Sequence, residues 1–154
     1  MENISEKSKH IQLMFDKISV RYNFLNRLLS FGQDLRWREK TVSFMPDIST
    51  LDGVCYDVAS GTGDLLFCAY ENRKDYSKFV GLDLSAGMLN VAKDLASKKN
   101  ISANFIQASA EDLPLSSESA DCVSIAFGLR NVDNRQKALH EFQRVLKRGG
   151  VLLV

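Results

Sequence analysis

The chain has 154 residues, is 45% hydrophobic and carries 20 Lys and Arg against 19 Asp and Glu, a net charge of +1. That length allows one hydrophobic core, and the balanced charge leaves no basic footprint for nucleic acid. Its three cysteines, Cys55, Cys68 and Cys122, lack Cys-x-x-Cys spacing, which argues against a disulfide framework and a zinc site and predicts buried thiols in a reducing compartment.

The polar N-terminal decapeptide has no apolar stretch of the kind a signal peptide needs. No run approaches the roughly 18 apolar residues of a membrane span. The predicted location is therefore cytoplasmic. Residues 9–45 read as helices, with Ile11, Met14, Phe15, Ile18, Tyr22, Leu25, Leu28 and Leu29 at three- and four-residue steps. Gly32 ends one helix, and Leu35-Arg36-Trp37 opens another running toward Met45-Pro46. Residues 1–50 are thus expected to form an N-terminal helical cap.

From Val54 the period changes, and residues 51–154 read as an α/β core. Strands are predicted over 54–59, 78–83, 103–107, 120–127 and 150–154, with helices over 64–74, 86–99 and 135–147. The segment 109–119 is read as a loop with a short turn, and Gly149-Gly150 as a helix stop. This alternation predicts a doubly wound, mostly parallel, Rossmann-like sheet. Because Val151-Leu152-Leu153-Val154 ends in mid-strand, the core is expected to be truncated at its fifth strand, with C-terminal strands missing.

The most informative segment is Asp57-Val58-Ala59-Ser60-Gly61-Thr62-Gly63-Asp64, followed twenty residues after Gly63 by Asp83 at the end of the next strand. Glycines that let the backbone approach a ligand, plus an acid for a ribose diol, are the parts of a βαβ nucleotide site. A dinucleotide site wants a small residue three positions after the second glycine, where this chain has Leu66. The Gly-Lys-Ser/Thr ending of a phosphate loop is absent, which disfavours ATP and GTP. Asp57, four residues before Gly61, suits a ligand that lacks phosphate and ends in an amino acid: S-adenosylmethionine. Asp57 would meet its ammonium and Asp83 its ribose hydroxyls. Asp57 as a loop-fixing carboxylate, and Asp83 as a cap before Ser85, are the structural alternatives. The third strand runs into Gln107-Ala108-Ser109-Ala110-Glu111, small residues that would admit an adenine edge beside Ser109.

Phe127-Gly128-Leu129-Arg130-Asn131-Val132, followed by Ala138-Leu139, Glu141, Arg144-Val145-Leu146-Lys147 and Gly149-Gly150, resembles the UbiE/MenG-type class I methyltransferases. Gly61-Thr62-Gly63-Asp64 and the N-terminal Phe15, Tyr22, Asn26, Ser30-Phe31-Gly32 and Trp37 join that resemblance, which runs from about Phe15 to Val154. The family C-methylates polyprenyl benzoquinols or naphthoquinols in ubiquinone and menaquinone synthesis. The resemblance implies cofactor contacts at Thr62, Asp83, Ser109 and Ala110, and a longer chain with further strands. This chain departs from the usual pattern at Asn23, Ser109, Ala126 and Arg148.

Methyl transfer from a sulfonium to a ring carbon asks the protein for alignment, exclusion of water and stabilisation of a phenolate. Arg130 and Asn131 are placed for that last task, Arg130 as an electrostatic donor rather than a base; an ion pair with Asp133 is its alternative. Tyr22, with Asn26, would belong to a lid, or to ordinary packing. Phe24, Leu28, Leu29 and Phe31 read either as an apolar entrance touching a membrane or as helix core. The expected function is conversion of demethylmenaquinol to menaquinol, or the matching step on a ubiquinol precursor. A class I methyltransferase for another small molecule and a non-catalytic cofactor-binding subunit are the alternatives.

Overall fold

The computed structural model describes residues 12–14 and 33–154. Helix α1 spans Gln33–Val42, followed by β1 (Gly53–Val58), α2 (Asp64–Asn72), β2 (Tyr76–Asp83), α3 (Ala86–Lys99), β3 (Asn104–Gln107), β4 (Ala120–Ser124), a 3-10 turn (Leu129–Asn131), α4 (Arg135–Val145) and β5 (Leu146–Leu153). All five strands pair in parallel in the order β3-β2-β1-β4-β5. The chain winds outward from β1 to β3 and then crosses to β4 on the other side of β1. The strand order therefore reverses between β1 and β4, the place where sheets of this kind open a ligand crevice at the carboxyl ends of the strands.

Alternation along the strands sends neighbouring residues to opposite faces. On one face Tyr56, Val58, Val80, Leu82, Val123 and Ile125 pack under Phe142 and Val145 of α4. On the other, Cys55, Cys122, Phe79 and Tyr76 pack under Leu65, Leu66 and Ala69 of α2 and Val42 of α1. Cys55 and Cys122 are buried free thiols opposite one another in the β1–β4 register, and Cys68 is half-buried. Asp57 and Ser124, two residues beyond that thiol pair, share the α1–α2 face.

Helix ends follow local chemistry. Ser85 caps α3, its Oγ accepting from the Met88 N–H at 3.1 Å, and Asn100 closes the helix in the left-handed region at φ 54°. Asn134 caps α4 by accepting from the Lys137 N–H. The loop at 109–119 is held onto α4 by Glu141, which accepts from the Leu113 N–H, and by Arg144, which donates to the Leu113 and Leu115 carbonyls.

Two expectations are corrected. The fourth strand ends at Ser124, not at 127, because Phe127 turns to φ 59° and leaves the sheet. The last helix ends at Val145 and β5 starts at once, so Gly149-Gly150 is no helix stop. Ala120 pairs with Leu146 and Cys122 with Val151, so the intervening residues, with Gly149 at φ 81°, bulge out of the ladder.

Candidate functional site

Two adjoining cavities open at the carboxyl ends of the strands, and both are lined by Ala59, Gly61, Ala126, Phe127 and Arg130. The first, about 130 Å³, is completed on one side by Asp83, Leu84, Ser85 and Met88 and on the other by Ser109, Ala110, Asn131 and Val132. Gln12 also reaches it. The second, about 350 Å³, lies toward α1 and α2 and adds Asp57, Ser60, Thr62 and Asp64 with Asp34, Trp37 and Arg38.

Asp83 organises the bend between them. One carboxylate oxygen accepts from the Gly61 N–H at 2.8 Å and the other from the Ser85 N–H at 2.9 Å. These bonds show the loop-fixing role of this acid; each carboxylate oxygen has a second lone pair, so that role does not exclude a ligand-facing one. Gly61 adopts φ 56°, and a methyl group built there would meet nothing within 4 Å, so its backbone faces open cleft. Gly63 differs. It is buried, lines neither cavity, and a methyl there would strike the Phe67 ring at 2.8 Å; its φ of 85° serves entry into α2.

Asp57 is 2% exposed, and its carboxylate accepts from Ser124 Oγ at 2.6 Å. Burial pushes its pKa up to about 7; the Ser124 bond pulls it back, Asp83 adds repulsion and Arg38 opposes it. Arg38 bridges Asp34 at 2.5 Å and Asp64, the first residue of α2, at 3.2 Å. Through that bridge α1 is held against the glycine bend. Ser60 Oγ, also on this wall, is buried and has no hydrogen-bond partner. The second cavity brings Asp34, Asp57 and Asp64 together with Arg38 and Arg130, a set that offers acceptors to an ammonium and donors to a carboxylate and so fits an amino-acid end. The apolar Leu84 and Met88 opposite Ser109 and Ala110 fit a flat base.

Of the residues singled out in the sequence, Gly61, Asp83, Ser109, Ala110, Arg130 and Asn131 meet in the first cavity and Asp57 and Thr62 in the second. Ser109 Oγ accepts from the Glu111 N–H at 3.2 Å, which fixes the loop and leaves its hydroxyl proton to donate. Arg130 is exposed and makes no side-chain ion pair among the described residues, so the alternative pairing with Asp133 is not formed. His140 is exposed on α4. Tyr22, Asn26, His10 and the apolar run Phe24, Leu28, Leu29 and Phe31 lie outside the described residues. Sequence reasoning passed over Leu84, Met88, Asp34 and Arg38. The first two could have been found from their places just after Asp83 and in the first turn of α3.

A model described as the ubiE/COQ5 methyltransferase family matches residues 3–154. The ubiquinone/menaquinone biosynthesis C-methyltransferase UbiE of Campylobacter jejuni is 43% identical over 154 residues, covering 97% of this chain and 64% of that protein. Its counterpart from Syntrophotalea carbinolica is 47% identical, covering 92% of this chain and 58% of that protein. The chain thus spans about three-fifths of the length of these curated relatives. Among solved structures, a SAM-dependent methyltransferase from Thermotoga maritima superposes with a TM-score of 0.70 at 24% identity, covering 93% of this chain and 60% of that one. The sheet is that of a Rossmann-like class I methyltransferase.

Proposed function

Because the chain belongs to the ubiE/COQ5 methyltransferase family, we propose that the protein C-methylates a polyprenyl quinol, with demethylmenaquinol the favoured acceptor and a ubiquinol precursor the second. The observation that carries this reading is the meeting of Gly61, Asp83, Ser109, Ala110, Arg130 and Asn131 around one cleft at the β1–β4 switch.

S-adenosylmethionine supplies an electrophilic methyl group on a sulfonium. Asp83 would accept from the ribose hydroxyls, Leu84, Met88, Ser109 and Ala110 would hold the base, and Asp57 and Thr62 would face the amino-acid end. Arg130, which lines both cavities, would stabilise negative charge on a quinol oxygen as its proton leaves. That charge makes the neighbouring ring carbon nucleophilic. The carbon would gain the methyl that S-adenosylmethionine supplies, leaving a neutral thioether. As the ring carbon's proton is lost the oxygen would take one back, so that the aromatic quinol is restored with one proton released overall. Asn131 would orient the same oxygen.

A polyprenyl tail stays in lipid, so peripheral contact with the inner face of a membrane belongs to this reading. No helix among the described residues is long and apolar enough to cross a membrane. Exposed Leu13 and Met14, beside the cleft residue Gln12, support an apolar entrance.

The test is incubation of the full-length protein with methyl-labelled S-adenosylmethionine and reduced demethylmenaquinone, with the ubiquinol precursor in parallel. Label is expected in the menaquinol. Arg130→Ala should keep cofactor affinity within twofold and lower turnover at least 100-fold. Label in neither product would overturn the assignment.

A further inference from the structure

We propose that Trp37 and Phe127 form the platform on which the planar ring of the methyl acceptor lies, with Arg130 at its edge. This rests on the quinol reading and specifies how that site takes its substrate. Trp37 comes from α1 and Phe127 from the segment after β4, and their ring centroids stand 6.3 Å apart at 50°. Both are large apolar side chains left open to water, Trp37 at 50% and Phe127 at 61% exposure. They line the cavity that holds Asp57 and Thr62, and Phe127, like Arg130, also lines the cavity that holds Asp83. Phe127 therefore stands at the junction of the two compartments, where a methyl group carried between an adenosine and an amino-acid end would sit, and Trp37 flanks it on the Asp57 side.

The backbone supports the same conclusion. Phe127 holds φ 59°, a conformation costly for a bulky residue, and the next residue, Gly128, is pressed on Ala59. Strain kept in order to place a ring in solvent at the lip of a cleft has no packing benefit that explains it. Two tilted aromatic faces instead offer stacking and edge contacts to a flat aromatic ligand. A ring seated there is within side-chain reach of Arg130, three residues after Phe127, for its phenolic oxygen.

Trp37 is the only tryptophan in the sequence, which makes the platform directly readable. The full-length protein, saturated with S-adenosylhomocysteine, is titrated with 2,3-dimethyl-1,4-naphthoquinone, whose blocked ring positions cannot add to thiols. Subtracting the same titration of Trp37→Phe isolates the emission of Trp37. The expected result is saturable quenching in that difference trace, competed by the quinol and missing from the Trp37→Phe titration itself. Phe127→Leu should raise the quinol KM at least tenfold with cofactor affinity within twofold, and Phe127→Tyr should restore it. Unsaturable quenching, or an unchanged KM in Phe127→Leu, would overturn the proposal. Should Phe127→Leu fail to fold, the quenching titration decides by itself. Saturable quenching without quinol methylation would keep the aromatic platform and remove the assigned reaction, so the two failures are distinguishable.

Discussion

Asp57 and Ser124 are register partners across β1 and β4, and the buried Ser124 hydroxyl donates to the buried Asp57 carboxylate at 2.6 Å. This pair ties together the two strands whose ends form the cleft, and it leaves a buried acid with one neutral side-chain donor and no ion pair among the described residues.

That arrangement predicts two opposed pH dependences. Burial raises the Asp57 pKa from 3.8 to about 7, so between those values the native chain holds a proton that the unfolded chain has lost. The contribution to stability is present below pH 4 and disappears as pH rises to about 7, on the order of 4 kcal/mol over that window. A cationic cofactor prefers the ionised acid. Its affinity should therefore climb as pH rises toward 7 and level off above. Calorimetry in phosphate and in imidazole at pH 6.5 should detect a released proton, and Asp57→Asn should abolish both the release and the pH dependence of affinity.

Asp83 is predicted to report on binding and on fold together. Asp83→Ala leaves the Gly61 and Ser85 N–H groups without their acceptor and should cost roughly 1–3 kcal/mol of stability while lowering cofactor affinity by about 100-fold or more. Asp83→Asn retains one acceptor oxygen and should recover most of the stability and little of the affinity. Thermal melts read the first quantity and calorimetry the second; equal recovery of both would remove the ligand-facing role.

Much of this site could be read from the chain because its parts are local. The apolar run, the glycine bend and the acid at the end of β2 lie within thirty residues, and Ser85 and Asn100 bracket α3 so that its predicted and observed limits coincide at 86–99. What escaped was tertiary. The bridge of Arg38 between Asp34 and Asp64 joins charges that any helix surface carries. The turn of Phe127 out of β4 brings Gly128 against Ala59 of another loop, and the early start of β5 depends on pairing between Leu146 and Ala120. Periodicity along one strand carries neither.

At the opposite end of the sheet, Arg73 holds the segment after α1 in place. Its guanidinium donates to the Met45 and Pro46 carbonyls at 2.5 and 2.7 Å, pairs with Asp75 at 2.6 Å and lies 5.1 Å from the Tyr76 ring centre. The Arg73 hydrogen bond is the main reason Asp75 is held down at about 2. Here the folded value lies below the unfolded 3.8, so the stabilisation is present above pH 4 and is lost as pH falls toward 2. Arg73→Met should cost about 3 kcal/mol at pH 7, read by urea denaturation. The same variant should lose the part of the acid transition that Asp75 contributes, read by circular dichroism between pH 5 and 2.

Gly128 and Ala59 set the width of the cleft. A methyl built on Gly128 would stand 2.4 Å from the Ala59 Cβ, and Ala59 itself is held at φ 52°. The same methyl would also stand 3.2 Å from Ile125 Cγ1, and the strand end opposite is held by the Ser60 N–H bonded to the Leu82 carbonyl at 3.0 Å. Gly128→Ala should therefore push the segment carrying Phe127 and Arg130 away from β1, costing about 1–3 kcal/mol and lowering turnover along with cofactor affinity. Ala59→Gly removes both the opposing methyl and a strained left-handed alanine; alone it should change stability by less than about 1 kcal/mol. Combined with Gly128→Ala it should restore most of the lost stability. A double-mutant cycle measures this coupling. Additive effects of the two substitutions would show that the loops do not press on each other, and recovery of turnover in the double variant would show that loop position, rather than the glycine as such, is what the reaction needs.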